Sequence, residues 1–377
     1  MRIAIFCHSL LSDWNHGNAH FLRGIVAELL DRGHQVSAYE PQDGWSRANL
    51  LRDGGTAAID EVHARFPWLD AVVHPYDPAT LEVDAALDGC DLAIVHEWSE
   101  PVLVARIGAC RAAGGRFALL FHDTHHRAAS APQEMARYDL RHYDGVLAFG
   151  EVIRSIYLDR GWTQRAWTWH EAADTRVFRP LGAPAPADMR DLVWIGNWGD
   201  GERGAELREF LLAPARRLRL RGTIHGVRYP RRARWAIALA GLRYRGWLAN
   251  HRAPELFARH RVTVHVPRRP YVEALPGIPT IRPFEALACG IPLVSSPWQD
   301  AEGLFRPGQD FLVARDGLQM RGCLREILRD AELAAALRDS GLQTIRARHT
   351  CAHRVAELLA ICGSLGVPSG ATDGAVA

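Results

Sequence analysis

Residues 281–298 read Ile-Arg-Pro-Phe-Glu-Ala-Leu-Ala-Cys-Gly-Ile-Pro-Leu-Val-Ser-Ser-Pro-Trp. Residues 283–289 carry helix formers, Gly290 ends the helix as a left-handed C-terminal glycine does, and 291–295 reads as a buried strand. A helix running straight into an apolar strand is a building unit of a parallel α/β sheet. The preceding Gly277-Ile278-Pro279-Thr280 cannot be regular helix, so the helix opens on a loop. The first N–H groups of a helix have no internal partner and lie at the positive end of its dipole. Amides around Thr280 and Ile281, with Arg282 as a bidentate arm, therefore suit a diphosphate. Glu285, three residues beyond Arg282, shares its face and can accept from two vicinal hydroxyls. A capping glutamate beside a solvated arginine explains the same pair.

The alternation extends in both directions from this stretch. Toward the N-terminus, 2–8, 35–39, 91–96, 116–121 and 144–149 are short apolar runs, and 21–30 has helical spacing ended by Arg32-Gly33-His34. Runs of this kind alternating with helices predict a parallel, doubly wound sheet. Residues 180–186, Pro-Leu-Gly-Ala-Pro-Ala-Pro, are the Pro-rich break where the domain boundary is expected, giving domains 1–179 and 180–350. Beyond it come strands at 191–195, 222–225, 261–266, 291–295 and 311–313, with helices at 206–219, 331–347 and 352–362. The residues from Gly363 onward are small and polar and are expected to be disordered.

Composition narrows the chemistry. The chain has 377 residues, enough for about two domains, and 48% hydrophobic with 23% charged residues is ordinary for a water-soluble globular protein. A net charge of +2 suggests neither a nucleic-acid partner nor more than peripheral membrane contact. All 45 basic residues are arginine, which excludes lysine Schiff-base chemistry and a phosphate loop ending in Gly-Lys-Ser/Thr. Seven scattered cysteines without a Cys-x-x-Cys pair, and a first strand where a signal peptide would stand, lead us to expect a reduced, cytoplasmic protein.

Glu285-Ala-Leu-Ala-Cys-Gly-Ile-Pro-Leu-Val294 resembles the donor-site signature of GT-B glycosyltransferases with a retaining-type C-terminal half, and 282–315 is similar to their CgeB-like branch. The resemblance implies two Rossmann-like, doubly wound parallel-sheet domains facing a central cleft. It implies a nucleoside diphosphate sugar as donor, a saccharide, lipid-linked or small-molecule acceptor, and neither cofactor nor metal. By the same resemblance Glu285 meets the ribose and the loop before it the diphosphate. Gly196-Asn197 and Arg203, after Trp194-Ile195, resemble the strand-end glycine and the basic residue on the β-phosphate. Trp247, in Tyr244-Arg-Gly-Trp-Leu248, resembles the segment under the base, and Asp174-Thr-Arg-Val-Phe-Arg-Pro180 the interdomain connection. The helix spanning 22–36 resembles the first helix of the N-domain, and the loop before it carries Gly17 and Asn18.

In the N-terminal half His96-Glu97 and His122-Asp123 end apolar runs, at the sheet edge where open α/β folds bind ligands. The family likeness makes His122 the residue that faces the donor sugar, with Asp123 orienting it or a nearby hydroxyl. Residues 122–126, His-Asp-Thr-His-His, can also be read as metal ligands, although the chain has no Asp-x-Asp pair of the kind metal-dependent transferases use. The arginines of 216–234 fit a solvated helix face, and Trp162–Trp169 fits either hinge packing or acceptor stacking.

One departure from the family stands out. The retaining enzymes carry a first glutamate eight positions before the second, and here that position is Gly277, with Glu273 twelve back. The stereochemistry of transfer is therefore left open. A GT-B epimerase or hydrolase, and a catalytically degenerate GT-B protein with an assembly role, also fit. A dinucleotide-dependent dehydrogenase does not, because no Gly-x-Gly-x-x-Gly follows the first strand.

Overall fold

Thirteen strands, most too apolar to face water on either side, pair in parallel in two sheets; the computed structural model of the chain describes residues 1–182, 185–199 and 201–367. In the first half they are β1 (Arg2–Phe6), β2 (Gln35–Pro41), β3 (Val73–Tyr76), β4 (Leu92–His96), β5 (Ala118–Asp123), β6 (Gly145–Ala148) and β7 (Ala166–Thr168). The second half holds β8 (Arg190–Ile195), β9 (Gly222–His225), β10 (Arg243–Tyr244), β11 (His260–His265), β12 (Leu293–Ser295) and β13 (Leu312–Val313). β4, β5 and β6 are buried at every residue, as parallel strands covered on both faces must be.

The first sheet runs β3-β2-β1-β4-β5-β6-β7 and the second β10-β9-β8-β11-β12-β13. Both are the doubly wound order, in which the chain starts in the middle, winds to one edge, then crosses back and winds to the other. Strand order reverses between β1 and β4 in one sheet and between β8 and β11 in the other. In open α/β sheets ligands bind outside the carboxyl ends of the strands at that reversal. The loops after β1, β4, β8 and β11 therefore mark the two places to look.

The chain forms two compact units, one running from Met1 to Glu171 and resuming at Cys351, the other Ala172–Thr350. Residues 172–179 belong with the second unit, upstream of the Pro-rich stretch: Ala173 bridges Thr350, and the Phe178 amide donates to the Asp174 carbonyl at 2.7 Å. The closing helix Cys351–Ser364 packs on helix Ala19–Asp31, and the Trp169 indole N–H donates to the Arg354 carbonyl at 2.8 Å. Gly363 and Ser364, where the tail was expected to start, complete that helix, and residues 368–377 lie outside the described residues. No helix among the described residues is long and apolar enough to cross a membrane.

Candidate functional site

In the second unit the site is built around one buried cation. Gly196-Asn197 open the loop after β8, and Arg203, at the end of that loop, folds back beneath it. Its guanidinium donates to the Val266 carbonyl at 3.1 Å, just past β11, and to the Asn197 carbonyl at 2.9 Å, and also reaches the Asn197 side chain. Arg203 thus ties together the two loops that flank the strand reversal. Burial, then the nearby Arg268 and Arg282, lowers its pKa to about 10, while Tyr229 and Glu202 act the other way. Cations crowded at a low-dielectric sheet edge are an environment that an anion stabilises. The backbone is tight here as well. At Gly226, with φ +143°, a Cβ would lie 2.0 Å from the Gly196 carbonyl oxygen, so only glycine fits.

Helix Ile281–Cys289 points its N-terminus at the same edge. Its N-cap residue, Thr280, makes no capping bond to the helix. The Thr280 hydroxyl instead pairs with His265 Nε2 at 3.1 Å, and His265 Nδ1 pairs with Ser295 Oγ at 2.9 Å. His265, the last residue of β11, so holds the helix start against the end of β12. Burial, then Arg203 and Arg282, pulls its pKa down to about 3, which keeps the imidazole neutral. The amides of Ile281 and Arg282 head the helix dipole with no side-chain cap over them. Within the first turn Arg282 is ion-paired to Glu285, whose side chain is fully buried.

Gly277 explains the missing acid. Its φ is +91°, and a Cβ there would lie 2.7 Å from Glu302 Cγ and 2.9 Å from Glu302 Oε1. The Glu302 side chain, from the loop after β12, fills the space a residue at 277 would need. Glu273 is exposed on helix Arg269–Ala274. Trp247 lies half-buried in the loop after β10, anchored where the Gly226 amide donates to the Gly246 carbonyl at 2.7 Å, and its indole nitrogen has no partner among the described residues.

In the first unit His122, the last but one residue of β5, is 1% exposed, its ring against those of Trp169 (4.9 Å), His96 (5.1 Å) and Phe21 (6.2 Å). Burial lowers its pKa to about 3. Asp123 faces away from His122, as successive strand residues do, and accepts from the Tyr157 hydroxyl and the His125 amide, both at 2.9 Å. The carboxylate thus orients a hydroxyl and not the imidazole. Asn18 donates to Glu171 at 3.0 Å at the start of helix Ala19–Asp31, and Gly17 lies in the loop before it. Among the described residues no three His, Cys, Asp or Glu side chains are grouped to hold a metal ion. In the 122–126 run Asp123 is engaged by Tyr157, and His126 pairs with Ser130 at 2.7 Å.

Sequence reading missed His265 and Tyr229. Tyr229 accepts from the Trp194 indole and donates to the Gly196 carbonyl, both at 2.8 Å, which fixes the loop after β8. His265 could have been found by the rule applied to His96 and His122, since it too closes an apolar run.

Two doubly wound parallel sheets in tandem are the GT-B glycosyltransferase fold. Residues 206–360 match the model of a family described as glycosyl transferase-like. Among solved structures the chain is similar to HepE of Anabaena in complex with UDP and glucose, with TM-score 0.69 at 14% identity over 97% of this chain and all of that one. An alpha-glucosyltransferase bound to UDP and a DNA 13-mer aligns with TM-score 0.68 at 14% identity, over 96% of this chain and 99% of that one. The sucrose-phosphate synthase of Thermosynechococcus elongatus gives TM-score 0.64 at 15% identity, over 97% and 99%. No curated protein sequence matches the chain.

Proposed function

We propose that the protein transfers a glycosyl group from a nucleoside diphosphate sugar, UDP- or GDP-linked, to an acceptor, without a metal ion. The observation that carries this reading is the meeting of buried Arg203, Arg282 and the uncapped start of helix Ile281–Cys289 at the strand reversal of the second sheet. When the bond from the anomeric carbon to the diphosphate breaks, the electron pair leaves with the diphosphate. Fixed cations and helix amides that meet this growing charge stabilise the transition state more than the ground state. They would supply in arginine and backbone what other enzymes draw from a divalent ion. We assign Glu285 to the ribose hydroxyls, Trp247 to the base, Asn197 and Gly196 to the loop under the β-phosphate, and Thr280 with Ile281 to the diphosphate. In the first unit we assign neutral His122 to a sugar hydroxyl, with Asp123 as a positioning carboxylate. The resemblance of 282–315 to the CgeB-like branch supports the same reading, and the near-neutral charge of +2 argues against a nucleic-acid acceptor.

Thermal shift against UDP, GDP and their sugars tests this directly. A ligand present at a hundred times its Kd should stabilise by about 2.7 kcal/mol. Glu285→Gln, which keeps the side chain's size, and Arg203→Ala should each weaken the best hit by about tenfold or more, an expected loss of about 1.4 kcal/mol. EDTA should leave sugar transfer unchanged. Stabilisation by none of these nucleotides at millimolar concentration would overturn the reading.

A further inference from the structure

The strand reversal of the first sheet carries a different chemistry from that of the second. Two large aromatic rings stand half in water there. Trp45, which opens the helix Trp45–Arg65 after β2, is 47% exposed, and Trp98, just after β4, is 42% exposed. His8, two residues past β1, lies between them, its ring 6.4 Å from Trp45 and 6.1 Å from Trp98.

Each tryptophan is buttressed from behind. The guanidinium of Arg127 lies 4.2 Å from the centre of the Trp98 ring while ion-paired to Glu97, and His125 meets the same ring edge-on at 5.1 Å. Buried Trp14 meets Trp45 edge-on at 5.1 Å and is itself fixed through its indole N–H to Asp53 at 2.8 Å. Ser46, next to Trp45, donates to the Trp14 carbonyl and shares a hydrogen bond with Ser12, both at 2.8 Å. Side chains held this firmly lose little entropy when a ligand covers them.

Behind His8 a line of imidazoles runs inward along the strand ends. His8 to His16 is 5.0 Å, His16 to His96 6.4 Å and His96 to His122 5.1 Å. His16 Nε2, His96 Nδ1 and His122 Nε2 are buried and have no hydrogen-bond partner among the described residues. Burial lowers the pKa of all four, to about 4 for His8 and about 3 for His122. A neutral imidazole both donates and accepts, which matches a hydroxyl group and offers no charge to a phosphate. The guanidinium at the platform, Arg127, is already paired with Glu97.

We propose that Trp45, His8 and Trp98 form a saccharide platform on the first unit, where the C–H face of a neutral pyranose stacks on tryptophan and its hydroxyls meet the imidazole of His8. This sugar belongs to the acceptor, an assignment that rests on the transferase reading. Exposed aromatic faces with a few convergent polar groups suit an amphipathic ring of this kind.

The test is saturation-transfer NMR on the full-length protein with neutral glucose, galactose, mannose and maltose, alongside glucose 1-phosphate, with UDP binding measured on the same samples. At least one neutral sugar should bind, and Trp98→Ala and Trp45→Ala should each weaken it by about tenfold or more. Trp98→Phe should restore part of the loss, and UDP binding should stay unchanged in all three variants. Neutral-sugar binding indifferent to both alanine variants would overturn the platform, as would glucose 1-phosphate binding in preference through these tryptophans. Failure of every neutral sugar while UDP binds overturns it and spares the transferase reading. Tryptophan-dependent sugar binding without any nucleotide binding upholds the platform and sinks the transferase.

Discussion

At the scale of single residues, Gly277 decides more than its size suggests. The family likeness asks for an acid at this position, and an obvious engineering step would be to restore it. The backbone refuses. A φ of +91° disfavours any side chain, and the space a Cβ would take is held by Glu302. Gly277→Glu would add left-handed strain, about 1–3 kcal/mol, and would set two carboxylates side by side. The expected result is a lower urea midpoint and weaker donor binding than in Gly277→Ala, checked by equilibrium unfolding and nucleotide titration; a gain in transfer rate would contradict it. The glycine was legible in the sequence as a departure, but its reason was not, because Glu302 arrives from a loop 25 residues later.

At the scale of elements, long apolar strands could be read and short edge ones could not. Residues 222–225 were read with the bounds of β9, and the core strands β1, β4 and β8 fell within two residues of their expected limits. β3, Val73–Tyr76, contains a proline and two exposed residues, and β7, Ala166–Thr168, has three residues, so neither leaves a hydrophobic run to find. The helix expected over 206–219 is interrupted by a π-turn at Arg208–Leu212, which no periodicity reveals. In the site, Arg282 and Glu285 were readable because they lie within one helical turn, whereas Arg203 was named only through the family likeness. The His265 link between Thr280 and Ser295 spans three segments and appears only once they fold together. His265→Val would remove the partner of the Thr280 hydroxyl and one of two partners of the Ser295 hydroxyl, which keeps the Ser296 carbonyl; this should cost about 1–3 kcal/mol and free the start of helix Ile281–Cys289. UDP affinity should fall with stability, measured by titration and urea unfolding; undiminished affinity would show that His265 does not position the helix.

At the scale of the whole molecule, buried histidines set the response to acid. Eight of them (His8, His16, His34, His96, His122, His225, His260 and His265) have pKa values below the ordinary 6.5. Below pH 6.5 the unfolded chain therefore takes up protons that the folded chain refuses, and stability is lost as pH falls. Glu40, Glu97 and Asp123, raised by burial, act in the opposite sense but are fewer. Chemical denaturation should show stability dropping between about pH 6.5 and 4, where His8 and His225 reach their own values near 4. A flat profile over that window would be inconsistent with neutral buried imidazoles. One further property concerns how the chain is threaded. The second unit begins at Ala172 and ends at Thr350, and its two ends clasp each other through the Ala173–Thr350 bridge. The first unit is split around it and resumes at Cys351. In genetic terms the second unit is a cartridge, inserted into the host sequence at a single point. One pair of crossovers, at 171/172 and 350/351, exchanges it whole and leaves every residue of the first unit unchanged.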